Sequence, residues 1–259
     1  MGKRIQSFRA ALIGGTPLVG TFVKTPSPIT CEVLTHALLD VVCLDAEHAP
    51  FGRTQIDSCV AVLHAADQPS LVRIAACTTT DICAALDCGA TGILVPHVAS
   101  AEQAVAIVTA ARFGEGGRGY SGSTRAAGFG TKPMRDHIDD SHAQVAIIVQ
   151  IEDLAALASV AAIAAVDGID CVFIGRADLA VAMGRDTLAP EVAEAVAAIC
   201  AAARTAGIAA GMFGHSLEEI ARWRAADASL FLLGSDQAFM LSAARQLAAA
   251  FHGRGHDSR

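Results

Sequence analysis

The sequence predicts an α/β protein of the (β/α)8, or TIM-barrel, type. Eight short apolar runs recur along its 259 residues, each followed by an Ala- and Leu-rich stretch with helical spacing. No Pro/Gly/Ser linker or shift of composition divides the series, so residues 1–252 are expected to form one catalytic barrel. An open doubly wound sheet is the competing architecture. It ordinarily carries a Gly-rich turn after its first strand, whereas Thr25, Pro26, Ser27 and Pro28 stand there and no GxGxxG occurs.

The strands are expected at 18–24, 41–47, 70–75, 92–98, 146–152, 171–178, 209–214 and 230–235. Each is almost continuously apolar, as parallel strands covered on both faces must be. Helices are expected near 29–39, 53–66, 80–88, 100–112, 153–165, 190–206, 216–226 and 236–251. Ser100 with Gln103, and Ser216 with Glu219, have the spacing of capping boxes at two helix starts. Residues 113–145 are too long and Gly-rich for an ordinary connection, which marks a functional loop, a subunit contact or both. The polar tail 253–259 is expected to be disordered.

Composition narrows the function. A formal charge of −7, one Trp and one Tyr give no general attraction to nucleic acid and no aromatic platform for bases. No apolar block approaches the roughly 20 residues of a membrane span. The first residues lack a signal-peptide core, and Gln6 breaks a myristoylation pattern begun by Gly2. Eight cysteines form no CxxC pair and sit mostly in apolar stretches, so a reduced, cytoplasmic protein is expected.

Barrel enzymes hold their chemistry at the carboxyl ends of the strands. In this sequence strand two ends in Asp45, Glu47 and His48, and strand three carries Arg73. Strand four ends in His97, strand five in Gln150 and Glu152, and strand six in Arg176 and Asp178. Glu152 and Asp178 end adjacent strands, within reach of one hard divalent ion such as Mg2+ or Mn2+, with Co2+ a further candidate. Taken singly, each carboxylate is equally well explained as a helix cap. No HExxH or His/Cys cluster points to zinc. His48 is placed to take a proton near neutral pH. Arg73, inside an apolar run, requires an anion, either Glu47 or a substrate oxyanion. Spacing alone makes Asp45 the partner of His48.

These residues fall in strings that resemble the HpcH/HpaI class II pyruvate aldolases, a family that includes 4-hydroxy-2-oxoheptanedioate and 2-dehydro-3-deoxyglucarate aldolases. The matching strings are LeuAspAlaGluHisAlaPro at 44–50, ValArg at 72–73, LeuAspCysGlyAla at 86–90, ValGlnIleGluAsp at 149–153 and GlyIleAspCysValPheIleGlyArgAlaAspLeuAla at 168–180. The resemblance implies a barrel of the phosphoenolpyruvate/pyruvate type. It implies metal ligands Glu152 and Asp178, and a pyruvate site lined by Gln150, Ala177 and Asp178. It makes His48 the catalytic histidine, has Arg73 stabilise an enolate, and has Asp87 raise the basicity of His48. Asp87 lies just before strand four, so that last role requires packing between subunits, and the resemblance implies a homo-oligomer, commonly a hexamer. Three departures, Arg176 for a usual Pro, Phe22 where several members have Trp, and the loop 119–130, all border the substrate region.

The implied reaction is reversible cleavage of a 4-hydroxy-2-oxo acid to pyruvate and an aldehyde through a metal-stabilised enolate. No Lys falls in a Schiff-base position, Lys24 being nearest, so a class I mechanism is disfavoured. Two rival readings are an acyl-CoA lyase of the citrate-lyase β-subunit type and a non-catalytic barrel that retains an ion site.

Overall fold

The computed structural model describes residues 2–214 and 216–253. Eight strands, β1 (Leu18–Val23), β2 (Val41–Asp45), β3 (Ser70–Arg73), β4 (Gly92–Val95), β5 (Ala146–Ile151), β6 (Cys171–Ile174), β7 (Ala209–Gly214) and β8 (Ala228–Ser235), pair in chain order. All pairs are parallel, and β8 returns to β1 to close the barrel. The helices are α1 (Lys3–Ile13), α2 (Pro28–Thr35), α3 (Arg53–Ala65), α4 (Thr79–Asp87), α5 (Ala101–Ala111) and α6 (Met134–Gln144). They continue as α7 (Leu154–Ala164), α8 (Arg176–Met183), α9 (Pro190–Ala206), α10 (Leu217–Arg224) and α11 (Asp236–Phe251).

Alternate strand residues point to opposite faces, and because both faces are covered the strands bury nearly every side chain. Val41, Cys43, Leu71, Leu94, Ile148, Phe173 and Leu232 fill the barrel interior. Val42, Leu44, Val72, Ile93, Val149, Val172 and Ile174 face outward into the helical shell. The interior cluster also contains Phe8 and Leu12 of α1. That helix lay unread in the sequence; Ile5, Phe8 and Leu12 are buried at the spacing of one helix face. Arg9, on the same helix, forks onto the buried carboxylate of Asp170 with contacts of 2.7–3.0 Å.

Two expectations need correction. The run 171–178 is not one strand: β6 stops at Ile174, Gly175 turns the chain, and Arg176, Ala177 and Asp178 form the first turn of α8. Continuous apolar character hid the boundary, since helix and strand cannot be separated by periodicity over so few residues. Asp178 therefore occupies the positive end of a helix dipole instead of a strand end.

Residues 113–145 likewise do not form one irregular connection. Phe113 and Arg118 make an isolated bridge, Gly128–Gly130 form a 3-10 turn, and α6 follows. The polar sequence of α6 buries only His137 and Ser141, which gives hydrophobic patterning little to detect. The capping boxes are half met. Ser100 Oγ accepts the N–H of Gln103, whose side chain reaches back to the N–H of Ala99. Ser216 Oγ accepts the N–H of Glu219, whose carboxylate turns to Arg176. The expected disordered tail lies outside the described residues beyond Gly253.

Candidate active site and metal centre

The strand ends converge because parallel strands in register present their last residues on one rim. Asp45 pairs in register with Arg73 across β2 and β3, which sets up the first element of the site. Arg73 donates from Nε and Nη2 to the two oxygens of Asp45 at 3.0 and 2.8 Å. Its Nη1 lies 3.3 Å from Glu47 Oε2, and its Cζ stacks 4.6 Å from the centre of the Phe22 ring. The anion that Arg73 needs is thus a carboxylate pair beneath it. Burial pushes the Asp45 carboxyl up, but the Arg73 hydrogen bonds and charge, the N–H of His48 and Lys24 outweigh it and hold it below the usual carboxylate range.

Asp45 is not the partner of the His48 ring that spacing suggested; it accepts the backbone N–H of His48 at 3.1 Å. The ring's Nε2 lies 3.6 Å from Glu47, and its side chain is half-exposed. Lys24 lines the same cavity with Nζ 3.4 Å from Asp45 Oδ2.

The second element is a cluster of Glu47, His97 and Glu152, which offer ligand atoms all within 4.8 Å of one another. The sequence placed Glu47 and His97 at strand ends without assigning them to an ion; only closure of the barrel brings them beside Glu152. His97 takes a left-handed backbone conformation (φ 56°), costly for a residue with a side chain. That turn directs its N–H to Glu152 Oε1 at 2.8 Å and leaves Nδ1 3.3 Å from both Glu152 and Asp153. Nε2 sits 3.4 Å from Glu47. Burial lowers the basicity of the imidazole, but Glu152, Asp153 and Glu47 together outweigh it and raise its pKa above the ordinary value. Burial likewise raises the Glu152 carboxyl, against the opposing pull of His97 and Gln150.

Gln150, on β5, donates from Nε2 to Glu152 Oε2, while its Oε1 is buried without a partner. A buried polar atom left unpaired costs about 1–3 kcal/mol, so this oxygen is one a bound ligand would satisfy. Gly175 makes the space: a Cβ there would lie 2.6 Å from both Cβ and Oε2 of Glu152.

A cavity of about 420 Å3 opens beside these groups, lined by Phe22, His48, Arg73, Gln150, Ala177 and Asp178 among others. The structure thus gathers six of the seven expected residues: five in the cavity wall, and Glu152 hydrogen-bonded to Gln150 next to it. Asp87 is placed elsewhere. It ends α4 on the side of the barrel where the strands begin, with its carboxylate 2.5 Å from Arg118 and 3.7 Å from Arg53. The donor set suits a divalent ion: carboxylate oxygens favour hard cations, and the imidazole of His97 widens the choice among transition metals.

Residues 18–243 match the family model described as HpcH/HpaI aldolase/citrate lyase. The chain is 36% identical over 239 residues to the hydroxypyruvate/pyruvate aldolase of Paraburkholderia phytofirmans, covering 89% of this chain and 91% of that protein. It is 36% identical over 247 residues to the 5-keto-4-deoxy-D-glucarate aldolase of Klebsiella pneumoniae, covering 94% and 96%. A crystal structure of a HpcH/HpaI aldolase/citrate lyase family protein from Burkholderia cenocepacia superposes with a TM-score of 0.90 at 35% identity, over 95% of this chain and 99% of that one. Motifs, closed barrel and near full-length matches agree: the chain belongs to the HpcH/HpaI aldolase/citrate lyase family.

Proposed function

We propose that this protein is a class II pyruvate aldolase that cleaves a 4-hydroxy-2-oxo acid to pyruvate and an aldehyde, and joins the two in reverse. The observation that carries the reading is the unpartnered Gln150 Oε1, set beside a Glu47, His97 and Glu152 cluster and within a cavity shared with Arg73 and His48. Glu152 and Asp178 are the proposed ligands of Mg2+, Mn2+ or Co2+, with Glu47 and His97 in support. A divalent ion bound there supplies Lewis acidity to the keto oxygen of the oxo acid.

The protein's own residues do the rest. Ala177 and Asp178 line the cavity in the first turn of α8, where helix N–H groups lack intrahelical partners and suit the substrate carboxylate, with Gln150 beside them. His48 takes the proton of the 4-hydroxyl as the C3–C4 bond breaks and the aldehyde carbonyl forms. The electron pair of that bond passes into the enolate, whose oxygen Arg73 stabilises; Asp45 holds the guanidinium in place for this. Protonation at C3 then releases pyruvate. Asp87 would reach His48 only from a neighbouring subunit, and the homo-oligomer, commonly a hexamer, expected of the family supplies that contact. No described helix is long and apolar enough to cross a membrane, and the eight cysteines are unpaired, which supports a cytoplasmic location.

The test is pyruvate release from 4-hydroxy-2-oxo acids before and after dialysis against a chelator. We expect activity to vanish on metal removal and return with Mn2+ or Mg2+. Undiminished activity in the stripped protein would overturn the reading, and turnover confined to acyl-CoA thioesters would transfer it to the lyase alternative.

A further inference from the structure

On the side of the barrel where the strands begin, away from the site above, a small cavity of about 40 Å3 lies between α1, the turn from α4 into β4, and α6. Its wall includes Arg118, Lys132, His137, Ser141 and Gln144. Four of these carry a buried polar atom with no partner: Arg118 Nε, His137 Nε2, Ser141 Oγ and Gln144 Oε1. His137, Ser141 and Gln144 recur at i, i+4 and i+7 on α6, so they form one stripe facing the cavity.

Three of the four are placed as donors. Arg118 Nε–H can only donate, and its side chain is 1% exposed, fixed by Asp87 at Nη2 and stacked over Phe113. Ser141 donates through its hydroxyl, and His137 donates from Nε2 in one neutral tautomer. Gln144 is oriented by its Nε2 donating to Asp140, which leaves Oε1 as the lone acceptor. The charges around the cavity are also uneven. Of the charged groups in its wall, Arg118 and Lys132 stand against the single carboxylate of Asp140, and Arg118 is held from behind by Asp87. Burial chiefly, with Lys132 and Arg118 against Asp87 and Asp140, holds the His137 imidazole below its usual pKa, which favours the neutral ring. Unpartnered buried donors from two segments, two cations against one carboxylate in the wall, and a small cavity describe an anion receptor.

We propose that this cavity binds one small monovalent anion, of the halide or formate class, seated on Arg118 Nε, His137 Nε2 and Ser141 Oγ. The ion ties α6 to the segment that carries Arg118, and thereby to Asp87 at the end of α4. A nucleotide is too large for a space of this size.

The test uses bromide on the full-length protein. At constant ionic strength, replacing gluconate with bromide should raise the melting temperature by about 2–4 °C once the ion reaches about ten times its Kd. Ser141→Val, which removes a donor and fills the space, should abolish that rise. Crystals soaked in bromide should show an anomalous peak within hydrogen-bonding distance of Arg118 Nε. Ordered water alone at that position, or an identical bromide response in Ser141→Val, overturns the proposal. Should Ser141→Val fail to fold, the anomalous map decides between the two outcomes.

Discussion

At the scale of single residues, the site depends on what surrounds each charge. Asp45 is fully buried, and carries two hydrogen bonds from Arg73 together with the N–H of His48. Asp45→Asn weakens the support of a buried guanidinium that Glu47 alone then balances, and should cost about 3 kcal/mol in urea unfolding. Because the folded state lowers this carboxyl's pKa, its contribution is complete above the unfolded value near 3.8 and is lost as pH falls through the lower folded value. The acid limb of the stability curve should therefore flatten in the Asn variant. Gly175 acts through space alone: Gly175→Ala would drive a methyl onto Glu152 and Gln150. We expect Mn2+ affinity, measured by titration calorimetry, to fall at least about tenfold, as disturbance of a ligand's support commonly does, while the overpacking costs about 1–3 kcal/mol and lowers the melting temperature as well. Asp45, His48, Arg73, Gln150 and Glu152 were all legible in the sequence as polar breaks in apolar runs. The partnerships among them were not, because the ring of His48 turned to Glu47 while Asp45 took Arg73 and a backbone N–H.

At the scale of elements, the strands could be read and their ends could not. Near-continuous burial marks β1 to β8, and the same property carried the reading past Ile174 into α8, moving Asp178 to a strand end that it does not occupy. Helix α1 shows the opposite failure, for its apolar face of Ile5, Phe8 and Leu12 gains meaning only against the bottom of the barrel. Its anchor is Arg9 on Asp170, which is 2% exposed and also accepts the N–H of Ile147. Arg9→Ala should destabilise the protein by about 2–3 kcal/mol, the range for hydrogen bonds to a buried charge. Chemical denaturation would measure the loss, and pyruvate release per folded molecule should stay as it was, because α1 lies at the end of the barrel remote from the site.

At the scale of the whole molecule, α11 is the element least satisfied by its own chain. Of its 16 residues only Asp236 is buried, where its carboxylate holds the N–H groups of Lys24 and Thr25 at the end of β1. Met240, Leu247 and Phe251 are 65, 75 and 83% exposed, an apolar face that water does not favour. Light scattering should find an oligomer, and Leu247→Glu with Phe251→Glu should shift it toward smaller species. The sequence by itself determined the barrel, its strand order and the residue types at its mouth, since local patterning repeated eight times admits few other topologies. Tertiary structure alone decided that Glu47 and His97 join Glu152, that α1 plugs the interior, and that Arg118 faces a polar stripe on α6. Those contacts join residues far apart along the chain, and their distances depend on barrel closure, helix boundaries and the turn of individual side chains, none of which leaves a periodic mark in a sequence.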